Sequence, residues 1–265
     1  MRLPIYQVDA FTGEVFRGNP AAVVPLETWI ADATMQGIAA ENNLAETAFF
    51  VPTGPAHYHL RWFTPEVEVD LCGHATLAAA AVLYEHLGQD APAVTFDTRS
   101  GPLVVAREGG AYTMDFPARR PRPLPRDRQV AVALGGEPNE LWLARDCMAV
   151  FETEAEVRAL VPDMAKVKAL GVFAMIATAP ADPALSPGAD FVSRFFAPAA
   201  GVAEDPVTGS AHCTLVPYWA DRLAKTTLEA RQVSRRGGAL RCTIDGDRVR
   251  MTGQTVCYLE GTITV

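Results

Sequence analysis

The sequence predicts an α+β protein of two pseudo-symmetric halves, each a rolled, barrel-like β-sheet around a central apolar helix. Three observations carry that expectation. The stretch Arg61-Trp-Phe-Thr-Pro, then Asp70-Leu-Cys-Gly-His and an apolar helix, recurs as Arg194-Phe-Phe-Ala-Pro, Asp205-Pro-Val-Thr-Gly-Ser-Ala-His and a second helix. Arg61 and Arg194, like Pro65 and Pro198, stand 133 positions apart (194 − 61, 198 − 65). Gly73 and Gly209 stand 136 apart, so the second copy carries a three-residue insertion. Residues 75–83 contain no charge, and a helix apolar on all sides needs a curved sheet around it. Residues 117–126 are dense in proline and arginine, which continues neither strand nor helix and sets the boundary between halves. The halves are then 1–117 and 118–265, with the last strand free to join either.

Element by element, residues 3–9 alternate like a half-buried strand, 11–18 form a turn-rich loop, and 21–26 form a second strand. Residues 28–43 have helical spacing, with Thr28 or Asp32 available as a cap. Strands at 46–52 and 57–63 flank the turn at Thr53-Gly-Pro. After the buried helix, strands are expected at 93–98, 103–107 and 111–116. Past the proline-rich stretch the order recurs: strand 147–151, helical stretch 154–170, strands 172–179 and 190–196, turn, helix 213–223. Short strands close the chain from Arg231 onward.

Composition narrows the function classes. With 49% hydrophobic and 20% charged residues the chain is ordinary globular protein. The 31 acidic residues outnumber 23 basic ones, a net charge of −8, which argues against a nucleic-acid surface. No signal core opens the sequence and no run reaches membrane-spanning length. Five scattered cysteines without a Cys-x-x-Cys pair suit a reducing compartment and no zinc site, so a cytoplasmic protein without metal is the expectation. His57 and His59 lack a third ligand nearby and read as exposed strand residues, while Cys147, Cys213, Cys242 and Cys257 read as small core residues.

The candidate chemistry lies at the two turns. Each opens a helix, whose first backbone N–H groups and dipole favour an anion. Gly73 and Gly209 allow close approach of a ligand. The copies differ: His74 stands against Ser210 and Cys72 against Thr208. Aligning residues 44–51 with 170–177, 126 apart (170 − 44), sets Glu46 against Val172. A carboxylate beside an apolar run, absent from the paired strand, suits an acid/base. Each residue also has a plainer reading. Glu46 can simply start a strand, His74 and Ser210 can be caps, and Asp205 before Pro206 can be a turn former.

Together these residues resemble the PhzF-like (phenazine biosynthesis) isomerase family of the diaminopimelate-epimerase-like fold superfamily. The matching stretches are Val8-Asp-Ala-Phe-Thr, Gly18-Asn-Pro-Ala-Ala-Val, Asn43-Leu-Ala-Glu-Thr-Ala-Phe, residues 63–76, Met114-Asp-Phe-Pro and residues 204–212. They run in order along nearly the whole chain. The resemblance implies two similar domains with the site in the cleft between them, a cofactor-independent enzyme and a homodimer. It also implies Glu46 as acid/base, His74, Asp205 and Ser210 as catalytic partners, and Asn19, Cys72, Gly73, Thr208 and Gly209 at the substrate. The implied reaction is a proton shift on a small unsaturated carboxylic acid, as in trans-2,3-dihydro-3-hydroxyanthranilate isomerisation. The alternatives are an epimerase or racemase of a small amino or imino acid, and a carboxylate binder without turnover. Two-thiol epimerisation needs a cysteine at both helix starts, but Thr208 holds the second. The physiological substrate is not legible in the chain.

Overall fold

The structure is a computed structural model that describes all 265 residues. It divides into two compact units, Met1–Asp115 with Thr252–Val265, and Phe116–Met251. No helix is long and apolar enough to cross a membrane.

The first unit contains β1 (Arg2–Ala10), β2 (Asn19–Pro25), α1 (Asp32–Asn42), β3 (Glu46–Gly54), β4 (His57–Phe63), β5 (Glu68–Val69), α2 (Gly73–Glu85), β6 (Ala93–Thr98), β7 (Gly101–Glu108) and β8 (Ala111–Pro117), the last crossing the unit boundary. Its pairing runs β1–β2 antiparallel, β2–β3 parallel, β3–β4 antiparallel, β4–β6 parallel and β6–β7–β8 antiparallel, with β5 a short partner of β4. The second unit contains β9 (Arg122–Leu124), α3 (Arg128–Leu134), β10 (Glu140–Leu143), β11 (Cys147–Val150), α4 (Glu154–Ala159), α5 (Met164–Ala169), β12 (Met175–Pro180), β13 (Phe191–Ala197), β14 (Val202–Asp205), α6 (Gly209–Leu223), β15 (Thr227–Gln232), β16 (Gly238–Asp245) and β17 (Arg248–Gly253), the last crossing the unit boundary. Its ladder repeats the first: β10–β11 antiparallel, β11–β12 parallel, β12–β13 antiparallel, β13–β15 parallel, β15–β16 antiparallel, with β14 a short partner of β13. The duplication read from motifs is thus also a duplication of strand order and direction. The strand β18 (Thr255–Thr264) pairs antiparallel with β1.

Each unit is built on its apolar helix. In α2 every residue from His74 to Tyr84 is buried. Four consecutive alanines, Ala78 to Ala81, let strands approach closely, while Leu77, Val82 and Leu83 supply the burial. Each such side chain contributes about 1.5–3 kcal/mol. The counterpart α6 buries Ala211 to Ala220 and contains Pro217. Proline has no N–H, so the carbonyl of Cys213 loses its i+4 donor. The backbone N–H of Arg119 donates to it instead at 2.8 Å, leaving no buried carbonyl without a partner there.

Several elements differ from expectation. The first helix begins at Asp32, after Ala31 and without a side-chain cap, so neither Thr28 nor Asp32 caps it. Asp32 instead accepts from Arg61 Nη1 at 2.9 Å. The stretch 154–170 is two helices: α4 ends at Ala159, its C-cap Leu160 has left the helical region with ψ 132°, and Pro162 disfavours helix at the residue before it. Within the proline-rich stretch, Arg122–Leu124 does pair, with Pro123 opposite Trp142, but for three residues only. Cys147, Cys213 and Cys242 are buried, whereas Cys257 lies on the largely exposed β18 and is half-buried. His57 is exposed and His59 packs edge-on to Trp29, ring centroids 5.2 Å apart, in keeping with strand residues.

Candidate functional site

In the first unit, four of the expected residues converge. Glu46 is the first residue of β3, parallel to β2 and opposite Ala21, which brings it near Asn19 at the start of β2. His74 is the second residue of α2. Its Nε2 lies 3.2 Å from Glu46 Oε2, an ion-pair distance without the alignment of a hydrogen bond. Its Nδ1 lies 3.2 Å from Asn19 Nδ2 and 3.4 Å from Cys72 Sγ. Burial holds the imidazole down to about 4, with the Pro20 carbonyl pulling slightly the other way, so the ring is neutral at pH 7. An Asn19 amide donating to Nδ1 favours the tautomer with its proton on Nε2, the nitrogen 3.2 Å from Glu46 Oε2.

Gly18 makes this arrangement possible. Its φ is +63°, and a Cβ there would meet the Ala10 carbonyl oxygen at 2.2 Å, so only glycine turns the chain into Asn19. Cys72 is the N-cap of α2 but gives no side-chain cap to the first N–H groups of the helix, at Gly73 and His74. Thr76 Oγ1 donates to the Cys72 carbonyl at 2.6 Å and fixes the turn.

In the second unit the turn is braced differently. Thr208 is the N-cap of α6 and likewise makes no side-chain cap. Its hydroxyl donates to Asp205 Oδ2 at 2.5 Å, and its N–H donates to Gln232 Oε1 at 2.9 Å. Gln232, 1% exposed, also donates from Nε2 to the Asp205 carbonyl at 2.7 Å. Ser210 Oγ accepts from Arg145 Nη2 at 3.1 Å. Arg145 is itself held bidentate by the fully buried Asp146, at 2.9 Å through both Nε and Nη2, and stacks on Phe173 at 4.9 Å. The structure thus places Asp205, Thr208, Gly209 and Ser210 on one turn. Burial pushes the Cys213 thiol up to about 11, with Arg119 and Arg145 pulling it back only in part.

Two corrections to the sequence reading follow. Strand pairing sets Arg61 opposite Phe49 and Arg194 opposite Ala177, so equivalent positions on β3 and β12 differ by 128 (177 − 49). Glu46 therefore corresponds to Ala174 and not to Val172, which leaves the second copy still without a carboxylate there. Arg145, Asp146 and Gln232 were not singled out by the sequence. Gln232 had a signal, a buried polar residue in an alternating strand, but Arg145 had none, since its role depends on a contact 65 residues away.

Comparison with known proteins agrees with this architecture. The chain matches the phenazine biosynthesis-like protein family over residues 8–261. It is 50% identical over 263 residues to an uncharacterized isomerase of Pseudomonas aeruginosa, covering 99% of both chains. It superposes on a phenazine biosynthesis protein of that family from Enterococcus faecalis with a TM-score of 0.96 at 46% identity, covering 100% of both. A hydroxyproline epimerase from Agrobacterium vitis shares the fold alone, with a TM-score of 0.61 at 11% identity over 99% of this chain and 92% of that one.

Proposed function

The chain belongs to the phenazine biosynthesis-like protein family, with isomerase-type relatives, and from that premise we propose that it is a proton-transfer isomerase of a small unsaturated carboxylic acid. The observation that carries the reading is the pairing of Glu46 with a buried, neutral His74 at a helix start that no side chain caps. A carboxylate in such a place removes a proton from one carbon and returns it to another on the same face. His74, with Nε2 3.2 Å from the carboxylate, steadies it as the proton moves.

The uncapped N–H groups at Gly73–His74 and Gly209–Ser210 suit a substrate carboxylate and the negative charge that develops on the conjugated acid. In the second unit Asp205, oriented by Thr208, assists proton movement and Ser210, held by Arg145, binds substrate; in the first unit Asn19 and Cys72 are the binding residues. Epimerisation by two thiols is disfavoured because Thr208 takes in the second copy the position that Cys72 takes in the first, and the next cysteine, Cys213, is buried with its thiol pushed up to about 11. A homodimer in the cytoplasm, working without a cofactor, remains part of the proposal.

The test is NMR in deuterated water with dihydro-hydroxyanthranilate and a panel of small unsaturated or amino carboxylates, wild type beside Glu46→Gln. Deuterium entering one compound with wild type alone supports the reading and identifies the substrate class. Binding without exchange in any compound would sink it in favour of a carboxylate binder.

A further inference from the structure

Glu46, Cys72 and His74 offer three different donor types at one place. One donor atom from each, a carboxylate oxygen, a thiol sulfur and a ring nitrogen, lies within 4.8 Å of the others. Two of the approaches are 3.4 Å from Cys72 Sγ to His74 Nδ1 and 3.2 Å from His74 Nε2 to Glu46 Oε2. Tetrahedral Zn²⁺, with bonds of about 2.0–2.3 Å, holds its donors roughly 3.3–3.8 Å apart. Both approaches are near that spacing. They use opposite nitrogens of the ring, however, so a cation bound to one nitrogen needs the third donor to close by roughly 1 Å. Glu46 supplies that movement: it is the first residue of β3, has a flexible side chain, and is 18% exposed, against 8% for His74.

From this clustering we propose that Glu46, Cys72 and His74 bind a borderline-soft divalent cation, Zn²⁺ foremost, and that the bound cation switches the site off. Thiolate, imidazole and carboxylate together exclude Mg²⁺ and Ca²⁺, which prefer all-oxygen shells, and suit Zn²⁺ or Co²⁺. Three protein ligands leave a fourth position for water. On binding, the thiol proton of Cys72 leaves to solvent and sulfur bonds the metal as thiolate, with no change of oxidation state. The Glu46 carboxylate is then occupied by the cation and cannot accept a proton. This second half rests on Glu46 being the acid/base; the binding itself does not.

Co²⁺ tests the binding directly, without substrate. Reduced, chelator-stripped protein is titrated with Co²⁺ and the near-ultraviolet thiolate-to-cobalt charge-transfer band is followed. The expected result is a saturable band, abolished by stoichiometric Zn²⁺, absent in Cys72→Ser and unchanged in Cys257→Ser. Glu46→Gln should weaken Co²⁺ binding by at least the roughly 10–100-fold that losing even an outer-shell partner costs. Absence of the band in folded wild type, or its survival in Cys72→Ser, overturns the proposal. Should Cys72→Ser fail to fold, Co²⁺ affinity in Glu46→Gln equal to wild type overturns it as well. For the switch, deuterium exchange should stop at Zn²⁺ saturation and return with a chelator; exchange that persists at saturation refutes it. Metal binding in a protein with no exchange activity under any condition sinks the isomerase reading and the switch, and leaves the site standing.

Discussion

Arg61 and Arg194 do the same work in the two copies of the strand–turn–helix. Each forms a two-pronged ion pair with a glutamate on the short strand beside it: Arg61 with Glu68 at 2.7 and 2.8 Å, Arg194 with Glu204 at 2.7 and 3.0 Å. Each also lies over a phenylalanine two residues on, Phe63 at 5.1 Å and Phe196 at 4.9 Å. The spacing from arginine to glutamate is 7 in one copy and 10 in the other, so the three-residue insertion falls inside this brace. The helix starts beyond it differ. One presents Cys72 and His74 beside Glu46; the other presents Thr208 and Ser210 beside Asp205 and Arg145. The contrast teaches that duplication kept the brace and diverged where the chemistry is proposed.

The largest expected effect breaks that asymmetry. Glu46→Gln should lower proton exchange by roughly 10²–10⁴-fold, the usual contribution of a positioned base, while ligand binding measured by calorimetry persists. Comparable activity would move the base elsewhere, to Asp205 or His74.

The brace should behave alike in both copies, but not identically. Removing one partner of a buried pair costs about 3–5 kcal/mol. Arg61 and Arg194 are 13% and 12% exposed, and Arg194 also donates to the carbonyls of Val157 and Leu160. Urea unfolding should therefore show Arg194→Ala at or above the top of that range and Arg61→Ala below it. The reverse order would mean that the bonds of Arg194 to the Val157 and Leu160 carbonyls do not carry the difference.

Acid should test the two buried histidines together. His74 and His212 are both held down to about 4 by burial, each slightly offset by a backbone carbonyl, from an unfolded value near 6.5. Between those values the unfolded chain binds more protons than the folded one. Stability is then complete above about pH 6.5 and falls as pH drops through 4, by on the order of a few kcal/mol per histidine at most. Chemical denaturation at pH 7 and pH 4.5 checks this; a flat profile would show that neither ring is held neutral by burial.

Smaller effects sharpen the picture of each turn. Gly18→Ala should cost about 1–3 kcal/mol and disturb Asn19, because the αL backbone and the Ala10 carbonyl leave no room for a Cβ. Thr208→Ala should cost about 1.5–3 kcal/mol by losing the bond to the Asp205 carboxylate. A larger loss of exchange than of stability in that variant would tie the Asp205 orientation to turnover.

Much of the fold was legible because its signals are local and repeated. The charge-free helix, the paired Arg-x-Phe turns and the strand alternation each report on a few neighbouring residues. What failed was equally local in cause. The register of Glu46 slipped by two residues, from Val172 to Ala174, because apolar strands align at several offsets and only cross-strand pairing with Arg61 and Arg194 fixes one. The helix at 154–170 was joined across Pro162 because its apolar spacing continues on both sides of the break.

By itself the sequence determined two similar units, a buried helix in each, and two helix starts that differ in side chains. Only the tertiary structure decided that His74 stays neutral between Asn19 and Glu46, that Arg145 rather than a nearby residue holds Ser210, and that Arg119 satisfies the carbonyl freed by Pro217. The physical reason is range. Periodicity, turn chemistry and burial preference act within a few residues of chain, whereas hydrogen-bond partners, desolvation and metal-ligand distances depend on atoms brought together from far along it.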